Sequence, residues 1–246
     1  MDNLFSLECK TILVTGASAG IGKAIAIACA QMGATVILNG RDQLRLQSTL
    51  KALAGEGHQA IQADLTDAEG RAFLVETCPE LDGLVQCAGI GNRVPCKMIE
   101  PEDVSRVMQP NLEAPILLQS ELLQAKKIRK GASIVYMASS AATMPSVGNA
   151  LYSASKGAII AYARCLAQEL APRQIRVNCI SPSMVWTNLA LVGATEDELK
   201  EAEKAYLLHR YGQPEDIAPL AVYLLSGASS WMTGSNLEIT GGALTL

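Results

Sequence analysis

The sequence predicts an α/β fold: a single doubly wound domain over residues 1–246, with a mainly parallel seven-stranded sheet and helices on both faces. Three observations predict it. Short apolar runs alternate with helical patterns along the whole chain, the pattern of repeated β-α-β units joined by right-handed crossovers. A glycine-rich turn follows the first run and opens the first helix. Apolar residues make up 49% of the chain and charged residues 18%, a balance that suits strands covered on both faces. No internal repeat, low-complexity tract or linker divides the 246 residues, a length normal for one such domain.

Residues 10–15 (KTILVT) read as a buried first strand, 16–22 as the glycine turn and 21–32 as an alanine- and isoleucine-rich helix. Residues 34–38 form the second strand, ending in Asn39-Gly40-Arg41, and Asp42 caps a helix to about residue 54. Residues 58–63 form the third strand, closed by Asp64, and Asp67 caps a helix to about residue 77. Residues 83–87 form the fourth strand, after which Ala88-Gly89 turns the chain. Pro101 suits the first turn of a helical region that runs to about residue 127. Pro110 and Pro115 predict a kink or break within it. Residues 132–137 are the fifth strand, 152–170 a long helix and 175–180 the sixth strand. A mixed segment spans 183–211, with a helix from Thr195 onwards. Residues 214–225 form a further helix and 236–239 the last strand.

The net charge is -4 and the basic residues are scattered, so nucleic acid is not an expected partner. The one dense basic group is Lys126, Lys127, Arg129 and Lys130. It reads as a solvated helix end, where the dipole favours cations, with an acidic partner as the alternative. Seven cysteines, without a Cys-x-x-Cys pair, and two histidines argue against a zinc site, and no metal is expected. Scattered thiols fit a reducing compartment. No signal peptide and no membrane-spanning run are read from the sequence, so the expected location is cytoplasmic.

Thr15-Gly16-Ala17-Ser18-Ala19-Gly20-Ile21-Gly22 follows a strand and opens a helix, the context required of a Rossmann-type dinucleotide fingerprint. Glycines let the backbone approach a pyrophosphate, and the helix start offers free N–H groups. An acid at the end of the second strand would hold two ribose hydroxyls and select NAD. Here Arg41 stands there instead, suited to a 2′-phosphate, so NADP(H) is favoured over NAD(H). The alternative for Arg41 is a solvated loop residue. Asp64 is a candidate acceptor for the adenine amino group, or a turn cap.

Tyr152 and Lys156 stand four residues apart, one turn along a single helix face. An isolated phenol ionises near pH ~10. An ammonium about 4 Å away, in an effective dielectric of about 20, attracts a unit charge by about 4 kcal/mol and would bring the phenol toward pH ~7. A phenol poised there is a general acid and base. Alone the spacing is common by chance; its weight comes from the glycine turn upstream.

These residues together resemble the short-chain dehydrogenase/reductase family over essentially the whole chain. The resemblance rests on Phe5-Ser6-Leu7-Glu8, the 15–22 turn, Asp64-Leu65, Cys87-Ala88-Gly89, Asn111, Ser139, Tyr152, Lys156, Arg176-Val177-Asn178, the 182–187 segment, and Thr233-Gly234 with Gly241-Gly242. Within the family the chain is most similar to 3-oxoacyl-[acyl-carrier-protein] reductases and related carbonyl reductases. The resemblance implies a catalytic tetrad of Asn111, Ser139, Tyr152 and Lys156. Tyr152 would exchange the proton and Lys156 would lower its pKa and hold the nicotinamide ribose. Ser139 would bond the substrate carbonyl, and Asn111 would shape a kinked helix and hold a relay water. The family's usual serine-to-tyrosine separation selects Ser139, with Ser140 as fallback. Cofactor contacts are implied at Gly16, Ser18, Ala19, Gly20, Ile21, Gly22, Arg41, Asp64, Leu65, Cys87, Ala88, Gly89, Tyr152, Lys156, Pro182, Val185 and Thr187, the last reaching the carboxamide.

Three departures stand out. The usual Asn-Asn-Ala-Gly reads Gln86-Cys87-Ala88-Gly89, the usual Pro-Gly reads Pro182-Ser183, and the final Asp-Gly-Gly reads Thr240-Gly241-Gly242. Cys87 lacks an amide's hydrogen bonds and is expected to loosen that strand edge. Ser183 meets a demand for positive φ less easily than glycine. Residues 183–211 are expected to form a substrate lid using Trp186, Leu189, Leu191, Val192, Tyr206 and Leu207, with plain packing of an amphipathic helix as the alternative.

The function expected is NADP(H)-dependent transfer of hydride to a small-molecule or acyl-thioester carbonyl. The alternatives are an NAD-linked alcohol, sterol or polyol dehydrogenase and a non-catalytic dinucleotide sensor. Small and apolar residues on several faces of the 152–170 helix, with the family's habit, imply a homotetramer or homodimer. Light scattering that gives a monomer mass would exclude that.

Overall fold

A computed structural model of the chain describes residues 3–191 and 195–243. Its strands are β1 (Thr11–Val14), β2 (Thr35–Gly40), β3 (Gln59–Gln62), β4 (Leu81–Gln86), β5 (Ile128–Met137), β6 (Arg176–Pro182) and β7 (Asn236–Ile239). All pair in parallel, in the order β3-β2-β1-β4-β5-β6-β7. The helices are α1 (Gly20–Gln31), α2 (Gln43–Lys51), α3 (Ala68–Thr77), α4 (Pro101–Met108), α5 (Ala114–Gln124), α6 (Ala150–Leu170), α7 (Glu196–Ala202) and α8 (Pro214–Leu225). This is the doubly wound α/β architecture expected.

Both sheet faces are buried, and the strand pleat divides the core in two. Ile12 and Val14 of β1 join Ile25 of α1, Leu46 of α2 and Ala221 of α8. Leu13, between them, joins Leu74 of α3, Leu118 of α5 and Ile159 of α6 on the other face. The caps expected at α2 and α3 form: the Asp42 carboxylate accepts from Arg45 N, and that of Asp67 from Gly70 N.

The strand order reverses between β1 and β4, so their C-terminal ends open a crevice at the switch point. The 16–22 turn leaves one side of it and the 87–89 turn the other. The kink expected near Pro110 is a π-helical turn, Gln109–Glu113, between α4 and α5. Proline lacks the N–H that an α-helical ladder needs, and the wider turn absorbs the defect, with the Ala114 N–H reaching back to Gln109 O. Asn111 lies in this turn, buried.

Two expectations are corrected. The basic group at 126–130 is not a solvated helix end: α5 stops at Gln124, and Arg129 and Lys130 belong to β5. β5 starts four residues before its expected residue 132, across an irregularity opposite Leu81 and Gly83. Arg129 bonds Glu80 and Asp82, and Lys127 Nζ donates to the carbonyls of Glu76 and Cys78, so two of the four cations are satisfied in place. In the 183–211 segment the helix expected from Thr195 is present as α7, begun by the capping box of Thr195 and Glu198.

Gly83 of β4 has no room for a side chain. A methyl built there meets Ile12 Cδ1 at 2.5 Å and Leu225 Cδ2 at 2.7 Å. Gly83→Ala is therefore expected to lower unfolding free energy by about 1–3 kcal/mol through overpacking. Urea denaturation checks this, and an unchanged midpoint would show that the two side chains yield freely.

Candidate active site

The switch-point crevice widens into a cleft of about 1350 Å³. Its floor is the glycine turn. Gly16 adopts φ +66°, and a Cβ on it would lie 2.9 Å from the backbone of Ala88; one on Gly22 would lie 2.4 Å from Gly16 O. Only glycine allows this close approach of the β1 and β4 turns. The helix behind it begins at Ala19, whose side chain cannot cap, so no side chain takes up the first-turn N–H groups of α1. A concave backbone cradle with free donors and a positive dipole end fits an anionic pyrophosphate.

Thr15 ties the two turns together. Its hydroxyl accepts from both Cys87 N (3.0 Å) and Ala88 N (3.1 Å). The edge that Cys87 was expected to loosen is thus held from β1, without the missing amide. The Cys87 thiol is pushed up to about 11 by burial, against the pull of Lys156, and stays a neutral thiol. Ser183 is absorbed as simply: its φ is not positive, and its hydroxyl donates to Thr240 O (2.9 Å).

At the far end of β2, Arg41 is exposed at the cleft edge, 3.7 Å from the Asp64 carboxylate. Asp64 also accepts from Thr66 N and Oγ1, and these bonds with Arg41 hold its carboxyl below the ordinary range despite partial burial. Asp64 is therefore a turn cap and ion-pair partner as well as a cleft residue. Leu65 lines the cleft beside it. Arg45, which the sequence reading missed, is a second cation here, 3.3 Å from Asp42. Its signal was the i, i+4 spacing from Arg41 across the start of α2.

The reactive end is built by β5 and α6. Ser139 closes β5 and Tyr152 and Lys156 face it from α6; all three line the cleft. The Ser139 hydroxyl accepts from Ala141 N, while Ser140 turns into a short helical turn and is buried. Lys156 Nζ donates to Met137 O (2.8 Å) and lies 5.6 Å from the Tyr152 ring centre. Asn111 does not line the cleft. Its amide accepts from Ile90 N (2.8 Å) and donates to Ile90 O (2.9 Å) and Ser155 Oγ (3.2 Å). Ser155 in turn donates to Tyr152 O, so the π-helical turn is tied to the reactive turn of α6. Ser155 was not singled out by sequence.

The expected direction of the Tyr152 pKa is overturned. Burial raises the phenol above its ordinary value, and only the adjacent Ser139 hydroxyl offsets part of this. Lys156 pays its own desolvation cost, which lowers it to about 8. Desolvation wins over attraction at both groups because each is removed from water without a charged partner.

With the site described, its relatives are informative. Residues 16–243 match the family model described as enoyl-(acyl carrier protein) reductase. Human dehydrogenase/reductase SDR family member 4 is 35% identical over 95% of this chain and 87% of its own. The chain belongs to the short-chain dehydrogenase/reductase family. A 3-oxoacyl-[acyl-carrier-protein] reductase of Rickettsia felis is 30% identical over 98% of this chain and 99% of its own. Among solved structures, a candidate NAD(P)-dependent gluconate 5-dehydrogenase from Beutenbergia cavernae, with bound NADP, superposes at a TM-score of 0.87, with 34% identity and 98% coverage of both chains. As a short-chain dehydrogenase/reductase, the protein is an oxidoreductase that binds a nicotinamide dinucleotide.

The implied cofactor residues of this short-chain dehydrogenase/reductase all line one cleft, including Ser18, Gly20, Ile21, Gly89, Pro182, Val185 and Thr187. Of the lid residues, Leu189 and Tyr206 line it, but Trp186, Leu191 and Leu207 do not. Val192 lies outside the described residues. Trp186 instead donates to Glu203 and packs on Tyr211, which lines the cleft with Leu199. No helix among the described residues is long and apolar enough to cross a membrane.

Lys156 makes folding pH-dependent. Between about 8 and its ordinary 10.5, the unfolded chain binds a proton that the folded chain does not. Stability from this group therefore rises with pH across that window. Relative to Lys156→Met, the wild type is expected to gain on the order of 3 kcal/mol as pH climbs through it. Denaturation midpoints across this range test it, and a constant difference would mean the ammonium is not desolvated.

Proposed function

We propose that this protein is an NADP(H)-dependent carbonyl reductase that moves hydride between the nicotinamide and a ketone or secondary alcohol, with 3-oxoacyl thioesters among its substrates. The observation that carries the reading is the convergence of Ser139, Tyr152 and Lys156 on one cleft with the glycine cradle. The bound nicotinamide supplies the hydride. The Ser139 hydroxyl donates to the substrate carbonyl and stabilises the negative charge that develops on it. Tyr152 delivers the proton to that oxygen. Burial keeps its phenol protonated, the form required of a general acid. Lys156 keeps donors beyond the one given to Met137 O for the nicotinamide ribose, and adds positive charge beside the phenolate that forms. Asn111 acts at one remove, fixing the reactive turn of α6 through Ser155.

The NADP(H) preference is supported by Arg41 and Arg45 at the ribose end of the cleft and by the absence of an acid at the end of β2. The Arg41–Asp64 contact is long and exposed, so it costs little to exchange for a phosphate. The same contact is what favours the second reading, an NAD-linked alcohol or polyol dehydrogenase, because it occupies the phosphate reader.

Two variants test the reading. Tyr152→Phe is expected to cut turnover about 10²–10⁴-fold with NADPH binding unchanged; retained turnover would remove Tyr152 from its role. Arg41→Ala is expected to weaken NADPH about 10–100-fold, the worth of a charge-assisted pair, and NADH far less. Equal losses in fluorescence titration would move the reading to the NAD-linked alternative.

A further inference from the structure

The substrate end of the cleft holds one cation whose role the reductase reading leaves open. Arg93 lies in the segment after β4, exposed and lining the cleft. Val94 N donates to Gly148 O (2.8 Å), and Arg93 Cβ stands 3.9 Å from where a Gly148 Cβ would be. That fastens Arg93 beside the start of α6, whose first turn carries Tyr152. On its other side the Arg93 charge acts on Tyr211 of the lid. Arg93 thus lines the cleft beside the reactive turn of α6.

Nothing among the described residues pairs with it. The neighbouring Asn92 gives its carbonyl to Arg106, and Arg106 is paired with Asp103. Two acids of the 183–211 segment, Glu198 and Glu203, are committed elsewhere. Glu198 accepts from Thr195 N and Oγ1, and Glu203 accepts from Trp186 Nε1 and Tyr211 N. The other cleft cations are occupied or distant: Arg41 faces Asp64, Arg45 faces Asp42, and Lys156 is bonded to Met137 O. The lining of this cleft mixes apolar Met144, Leu189, Leu199 and Tyr206 with polar Asn92, Ser146 and Asn149.

We propose that Arg93 is a specificity residue that receives a carboxylate carried by the substrate at a distance from its reacting carbonyl. The proposal rests on the reductase reading and narrows its substrates to oxo-acids and their hydroxy-acid products. A planar guanidinium binds a carboxylate through two parallel hydrogen bonds. A single unpaired cation balances one negative charge. A phosphate dianion would meet Arg93 alone, with Glu198 in the same cleft.

The test uses the full chain with bound NADPH and a series of linear oxo-acids of increasing length, each compared with its methyl ester. Binding is read by calorimetry and turnover by NADPH oxidation. Wild type is expected to bind the acid of the fitting length more tightly than its ester. Arg93→Gln is expected to weaken that acid about 10–100-fold, the range for a lost charge-assisted hydrogen bond, with the ester and NADPH unaffected; Arg93→Lys should recover part of the loss. Acids and esters bound alike at every length, or equal losses for both in Arg93→Gln, would overturn the proposal. Arg93-dependent binding of an acid without turnover would uphold the anion site and defeat the reductase reading. Turnover of esters or acyl thioesters unaffected by Arg93→Gln, with no preference for acids, would do the reverse.

Discussion

A methyl group on residue 16 would stand 2.9 Å from the Cα and N of Ala88. That distance is shorter than packed atoms tolerate, so the approach of the β1 and β4 turns exists only because residue 16 has no side chain. The rest of the site depends on this approach. It brings Thr15 within reach of two backbone donors on the 87–88 turn, and it sets the width of the crevice at the point where the strand order reverses. Gly22 adds the same constraint one helical turn on, against Gly16 O. The cradle is thus made of backbone, and backbone held by parallel strands on both sides is rigid before any ligand arrives. Preorganisation of this kind lowers the cost of ordering a ligand on binding.

From that floor outward, the site is held by polar groups buried at some expense. Asn111, Ser155 and Lys156 are each almost wholly removed from water. Each finds its hydrogen bonds on main chain: Asn111 on Ile90 of a loop, Ser155 on Tyr152 O of its own helix, and Lys156 on Met137 O at a strand end. Buried polar groups satisfied in this way fix one geometry, because any shift leaves a donor or acceptor unpaired. The π-helical turn belongs to this network. Its wider pitch turns Asn111 toward Ile90 and Ser155, and a regular helix through Pro110 would have spent that position on a clash. The same burial accounts for the chemistry of the pair on α6. Removal from water favours the neutral phenol and weakens the ammonium.

The sequence was most informative where backbone geometry demands a residue type. Glycines at 16 and 22, aspartates 42 and 67 at helix starts, and prolines 101 and 110 each marked a feature that the structure contains. The bounds of α8 and β7 were read directly because Pro214 and Gly234 punctuate them. Ser139, Tyr152 and Lys156, singled out through order and spacing along the chain, line one cleft. Less legible was whatever depends on distant partners. The sign of the Tyr152 shift depends on how much water the fold excludes, which spacing along a helix does not encode. Arg129 reads as one of four surface cations until β4 brings Glu80 and Asp82 beside it. Ser155 and Thr15 have ordinary local patterns, and their roles appear only when residues 44 and 72 positions away arrive as partners. The 183–211 segment was hardest, since its apolar residues follow no period; most of its described residues are loop rather than helix.

That contrast reflects how the two ends of the cleft are built. The cofactor end is backbone and strand, so any sequence that keeps its glycines keeps its shape. The lid end is fastened by scattered bonds. Trp186 N reaches Gly212 O, Leu207 N and Leu208 N reach the carbonyls of Gly242 and Gly241, and Glu203 gathers Trp186 and Tyr211. Few of these bonds dictate which side chains face the cleft. Substitutions at Leu189, Leu199, Tyr206 or Arg93 can therefore change what binds without disturbing the sheet. A fold of this kind keeps its hydride chemistry constant while its choice of substrate varies, and relatives near 30–35% identity accordingly bear names for different substrates. The proposed choice of substrate rests for the same reason on charge and shape at the lid end, where Arg93 lines the cleft without a partner among the described residues.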